Sequence, residues 1–169
     1  MKTLSLIVLS MALSACMKDH GQKAADLAFI SFKRDSQAYY YQVSFSSNIE
    51  LLNLFKPSQE LSVISKKLIC SLDTPAVFDM NHRIDTYAEG DFSKVGSSSL
   101  GFEYESNIYF AQSNSQGTSF DYLSAADISK QLAERTSLPC KVKITLFPYR
   151  AYYSNTLNIP VKQVLEAVK

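Results

Sequence analysis

Apolar and polar residues alternate along most of the chain after about residue 27, and a period of two sends successive side chains to opposite faces of a strand. Ala28, Ile30 and Phe32 alternate with outward positions, Lys33-Arg34-Asp35-Ser36 supplies a turn, and Tyr39, Tyr41, Val43 and Phe45 alternate again. That pair predicts a hairpin. Ile49, Leu52 and Phe55 are instead three apart, which after Ser47-Asn48 predicts one or two helical turns stopped by Pro57. Leu61 to Ile64 and Leu68 to Leu72 read as two short strands about Lys66-Lys67, or as one longer strand, broken by Asp73-Thr74-Pro75. Leu100, Phe102 and Tyr104 alternate with Gly101, Glu103 and Glu105; Ser106-Asn107 predicts a turn, and Ile108 to Gln112 returns. A further turn at Asn114-Ser115-Gln116-Gly117 leads into Ser119 to Leu123.

Ser124-Ala125-Ala126-Asp127 has capping-box spacing, with Asp in place of Glu, so Ala125, Ile128 and Leu132 predict the inner face of a helix near 125–136, ended by Pro139. Cys140, Val142, Ile144 and Leu146 alternate with Lys141, Lys143 and Thr145, and Tyr149 to Ser154 reads as another strand. Pro160 suits the first turn of a C-terminal helix bearing Val161, Val164, Leu165 and Val168. About seven to nine strands with local hairpins predict antiparallel pairing. The expected fold is mainly β or α+β: one domain over 27–169, a sheet or sandwich with two or three short helices. An immunoglobulin-like layout lacks its signature, because the chain has no Trp to pack on a cystine.

The first residues follow a different pattern. Met1-Lys2-Thr3 carries one cation, and Leu4 to Leu13 is apolar apart from Ser5 and Ser10. This run falls well short of the ~20 residues of a membrane-crossing helix and predicts a secretory signal peptide over 1–15. Leu13-Ser14-Ala15-Cys16 resembles the lipobox of bacterial lipoprotein precursors at all four positions. The resemblance covers the first 16 residues. It implies that the Cys16 thiol receives a diacylglyceryl group, that the Ala15–Cys16 bond is cut, and that the new N-terminus is acylated (a palmitate-type modification). Met17 rather than Asp follows the cysteine, which implies the outer membrane, with the domain facing the periplasm or the cell surface. Met17 to Asp26 is polar and reads as a tether that, with Cys16, spans 16–26; ten residues stretch to at most ~35 Å. His20, within it, reads as solvated.

With Cys16 on lipid, Cys70 and Cys140 remain, and an even remainder in an oxidising compartment predicts a disulfide between them. Two cysteines without nearby histidines cannot complete a tetrahedral metal site.

Charge narrows the partner classes. Lys and Arg total 17 and Asp and Glu 16, so loss of Lys2 with the leader leaves the mature chain neutral. Neutrality removes the electrostatic case for binding nucleic acid or a generic anionic membrane surface. Residues 71–127 nevertheless hold nine acidic and two basic side chains, while 136–169 hold one acidic and five basic. This segregation either builds an acidic face for a basic partner or cancels across neighbouring strands.

The chain has no metalloprotease, dinucleotide-binding or phosphate-loop motif, and Gly96 to Gly101 is one residue too long for a nucleophile elbow. His82, with Asp79 and Asp85 three residues to either side, is the candidate for a hydrolase; a partly exposed loop histidine is the plainer reading. Asp79, Asp85, Glu89 and Asp91 carry oxygen ligands, but their spacing fits no EF-hand. No catalytic or metal residue is therefore assigned, and no cofactor is expected beyond the lipid on Cys16. Among the aromatic doublets and triplets, Tyr40, Tyr109 and Tyr153 are expected to face outward as interface anchors. The expected function is a non-catalytic, lipid-anchored envelope protein that binds or assembles with another protein. An inhibitor or immunity-type lipoprotein against an envelope enzyme is the alternative, and a hydrolase the third.

Overall fold

A computed structural model describes residues 17–35, 39–55, 61–99 and 101–169. The expected signal peptide and Cys16 lie outside the described residues, as do Pro57 and Leu100.

The predicted first hairpin forms from β1 (Leu27–Arg34) and β2 (Tyr40–Ser47). Its phase differs from the expectation. A bulge between Phe29 and Ser31 inserts Ile30 as an extra residue, which resets the two-residue period. Leu27, Phe29 and Phe32 therefore pack on the core, while Ala28 is exposed and Ile30 is 50% exposed. Tyr39 also departs from the inward pattern: at φ 73° it bends the chain into β2 and turns its ring outward, 63% exposed.

Residues 49–55 form turns rather than a helix. Their backbone groups find partners on the strands instead of four residues away: Leu51 N–H donates to the Tyr104 hydroxyl at 2.8 Å, and Lys66 Nζ donates to Leu52 O. Strand β3 (Ser62–Ser71) is the one longer strand, bulged between Val63 and Ser65.

β4 (Thr86–Ser98) and β5 (Gly101–Ser113) form a long hairpin that reverses between the paired Ser98 and Gly101 rather than at Ser106-Asn107. Phe102, Tyr104, Ser106, Ile108 and Phe110 have the same parity, so the alternation runs unbroken through the supposed turn. Ser106 is tolerated at a buried position because its hydroxyl lies 3.1 Å from Gly90 O and 3.0 Å from Asp91 O, donating across the hairpin. The true turn uses Gly101 at φ 122°, where an added Cβ would stand 2.2 Å from Ser47 O.

β6 (Phe120–Tyr122) pairs with β5 beyond the end of β2. Helix α1 (Ala125–Leu132) begins with the predicted capping box: Asp127 N–H donates to Ser124 Oγ, and Ser124 N–H to the Asp127 carboxylate. It stops well before Pro139, which instead lies in β7 (Ser137–Phe147) opposite Asn158. The expected strand after Pro148 is reduced to β8 (Tyr152–Tyr153), followed by β9 (Leu157–Pro160) and α2 (Val161–Ala167).

All named strand pairs are antiparallel, in the order β1-β2-β5-β4-β3-β7-β8, with β6 beside β5 and β9 beside β7. The sheet curls until β1 contacts β9, and α2 packs on both. Phe45, Tyr104, Ile108, Leu68, Val142 and Ile144 fill the concave side. Cys70 and Cys140 are bonded, fully buried, and directly opposite in the β3–β7 ladder. The bridge thus joins neighbours within one sheet, unlike the inter-sheet bridge of an immunoglobulin domain.

The stretch expected to be a solvated tether is laid down on the body. Lys18 N–H donates to Pro148 O at 3.3 Å and Arg150 N–H donates to Lys18 O at 2.9 Å, a short parallel bridge at Tyr149. The His20 ring packs against Phe55 and Tyr152, and Ala25 N–H donates to the buried Tyr152 hydroxyl at 2.7 Å. Asp26 accepts from the Asn48 and Asn155 amides before β1 begins.

Candidate functional site: a tyrosine-rich outer face

Odd-numbered residues of β5 point away from the core, so Tyr109 stands on the convex face. Register puts Tyr40 of β2 directly opposite it, with ring centroids 6.1 Å apart. β6 then adds Phe120, stacked on Tyr109 at 5.6 Å, and Tyr122, edge-on to Tyr109 at 5.4 Å. Tyr39, turned out by its left-handed backbone, stacks on Tyr122 at 5.5 Å. Five rings from three strands and one turn therefore form a continuous platform, held by offset and edge-to-face contacts. Its rim is exposed: Phe120 by 44% and Tyr122 by 47%.

The platform continues into a charged strip. Tyr109 OH donates to Glu89 Oε1 at 2.9 Å, and the same oxygen receives Lys67 Nζ at 2.6 Å. Burial first, and then the adjacent Glu89 carboxylate, raise the Tyr109 phenol far above its ordinary pKa, so it stays a neutral donor. Glu105 accepts from Gln42 and Ser44. Asp91 is exposed on the same face as Glu89, whereas Asp121 lies opposite Gln112 and turns to the other face, toward Asp127 and Lys130 of α1. The acidic segment does not interleave with the basic one: β4, β5 and β6 are neighbours, whereas β7, β8 and β9 lie beyond β3. On this face Lys67 of β3 meets Glu89 at the seam, and Arg150 comes beside Asp79 at the far end of β7.

Of the three tyrosines expected to face outward, Tyr40 and Tyr109 meet. Tyr153 does not join them. It lies on β8, half-buried, with Lys143 Nζ 5.9 Å above its ring. A groove of about 260 Å³ runs from Tyr153 past Ile69 to Tyr87 and Glu89, roofed by the loop carrying Phe78 and His82. His82 is exposed on that loop. Its sequence neighbours are engaged elsewhere: Asp79 accepts from Asn81 N–H, and Asp85 pairs with Arg83 at 2.7 Å. Ser113, which also lines the groove, is hydrogen-bonded to Tyr87. Among the described residues no group of three His, Cys, Asp or Glu side chains is placed to hold a metal ion.

Tyr39, Phe120 and Tyr122 were not among the residues expected at an interface. A signal was present for two of them, because Phe120-Asp121-Tyr122 alternates and so shows both rings on one face. Comparison with family models, curated proteins and solved structures finds no match.

Proposed function

We propose that this is a non-catalytic, lipid-anchored envelope protein, held by acyl chains on Cys16, that binds a partner protein through the convex face of β2, β5 and β6. The observation that carries the reading is the five-ring platform, whose outermost rings are close to half exposed or more. Rigid aromatic side chains bury large areas at little entropic cost, and they are enriched where binding energy concentrates. Glu89 and Asp91 beside the rings, with Glu105 farther along the same face of β5, favour a basic partner surface, which supplies orientation and association rate. The same acidic strip supports the second reading, an inhibitor or immunity-type lipoprotein acting on a basic envelope enzyme.

The test is affinity capture from detergent-solubilised membranes with the wild-type chain, a Tyr39→Ala/Tyr122→Ala variant, and an Ile30→Ala control on β1. A specific partner retained by wild type and control but lost by the double variant supports the platform; identical capture by all three overturns it. A captured enzyme whose activity falls on binding selects the inhibitor reading. For the anchor, Cys16→Ala is expected to leave the leader uncleaved and the chain without acyl mass, and a normal mature mass would overturn that assignment.

A further inference from the structure

Docking of the N-terminal segment fixes how far an anchor on Cys16 can stand from the folded body. Lys18 is hydrogen-bonded on both its N–H and its carbonyl, to Pro148 and Arg150. Only Met17 separates it from Cys16, and two residues span at most ~7 Å. That is about the depth of one headgroup layer, given a hydrocarbon core of about 30 Å inside a total of 40–45 Å. The body beside Lys18 therefore cannot be suspended above the leaflet.

Large apolar side chains are exposed near this exit. Phe147, next to the residue that receives Lys18, is 66% exposed on the convex side of β7. Ile64, bulged out of the neighbouring strand two residues from the partner of Phe147, is 65% exposed. Met17 and Met80 line one shallow cavity with Arg150, and both are over 40% exposed. The nearby exposed charges, Lys18 and Arg150 against Asp19 and Asp79, cancel. Nothing here selects an anionic surface, while four exposed apolar side chains suit an interfacial one.

We propose that this end of the sheet, presented by Met17, Ile64, Met80 and Phe147, is seated in the headgroup region of the leaflet that holds the Cys16 lipid. The proposal rests on the anchoring reading above. It also orients the platform. The row Tyr40-Tyr109-Glu89-Ile69-Lys141 crosses β7 six residues before Phe147, roughly 20 Å along the strand, so the rings stand clear of the lipid and open to a partner.

The chain has no Trp, which makes single-Trp reporters unambiguous. Full-length Phe147→Trp, Ile64→Trp and, as the distal control, Phe120→Trp are expressed so that they mature, then reconstituted in vesicles of neutral phosphatidylcholine with brominated acyl chains. The expected result is blue-shifted emission and severalfold stronger quenching at positions 147 and 64 than at 120, unchanged by salt. Acylated protein that floats with the vesicles but shows equal quenching at all three positions, or none at 147 and 64, overturns the docking alone. Protein that lacks acyl mass at Cys16 and fails to float overturns the anchor, and the docking with it.

Discussion

Removing either partner of the Cys70–Cys140 bridge opens a loop with a sequence separation of 70. In the chain-entropy account, a cross-link closing a loop of this size stabilises by about 4 kcal/mol, against about 3 kcal/mol for a 15-residue loop. The native side of the balance changes little, because Cys70 and Cys140 sit in a ladder running from Ser62–Phe147 through Leu68–Val142 that holds the strands without the bond. Both sulfurs are fully buried, so substitution also removes packed atoms, at about 1 kcal/mol for a methyl-sized group. Cys70→Ala loses the bond and one sulfur; Cys70→Ala/Cys140→Ala loses the bond and both. The single variant is thus expected to fall by about 5 kcal/mol and the double by about one more, with melting temperatures lowered by roughly 10–20 °C at the 2–4 °C per kcal/mol of a domain this size. Urea titration supplies an independent sign: release of the loop exposes more surface on unfolding, so the denaturant slope rises as the midpoint falls. A loss below about 1 kcal/mol with an unchanged slope would show that β3 and β7 stay associated in the denatured chain, and it would refute the entropic account.

Three further outcomes are expected. Gly90→Ala would place a Cβ 2.0 Å from Asn107 O and force β4 from β5, costing at least ~2 kcal/mol, whereas at Gly96 the nearest atom is a flexible Glu103 oxygen at 3.5 Å and alanine is tolerated; equal denaturation midpoints for the two would contradict so close an approach of the strands at Gly90. Ser124→Ala removes the acceptor for Asp127 N–H and is expected to cost ~1 kcal/mol, visible as faster amide exchange at the start of α1 while β7 keeps its protection. Tyr41, Tyr87, Tyr104, Tyr109, Tyr152 and Tyr153 all have pKa values raised first by burial, so the fold favours their neutral forms. Their contribution is complete below the unfolded tyrosine value of about 10 and lost as pH rises through the folded values; Tyr109→Phe should soften that alkaline decline, and a stability level through alkaline pH would refute the burial argument.

The fold was legible where a single period or a local hydrogen bond determines the outcome. Alternation over residues 140–146 and the Ser124–Asp127 box depend on neighbours in the chain, and both appear as expected. The failures mark places where distant residues intervene. The Ser106-Asn107 turn is overridden because carbonyls on β4 receive the buried hydroxyl, and Ile49 to Phe55 forgoes a helix because Tyr104 and Lys66 serve its backbone. Ile30 is misassigned by one inserted residue, which reverses every earlier side chain in β1.

The proposed functional surfaces were less legible for the same reason, carried further. A lipobox is read as a linear string, so four consecutive residues suffice to suggest the anchor. The platform instead needs β6 to extend the place of β2 beside β5, and it needs a left-handed Tyr39 to reach Tyr122. Charge segregation was visible in the chain, but its meaning depended on strand order: had β7 inserted between β4 and β5, Lys141 and Lys143 would have neutralised Glu89 and Glu105. The observed order keeps them apart, leaving the acidic side chains beside the rings. The same reasoning turns the polar stretch 17–26 from a spacer into a strap, because what decides its reach is the pairing of Lys18 with residues at the far end of the chain. On the proposed anchoring this pairing relates the lipid on Cys16 rigidly to the rings, so lengthening the link at Met17 with Gly-Ser repeats is expected to weaken contact with lipid while leaving the proposed partner capture by the platform intact.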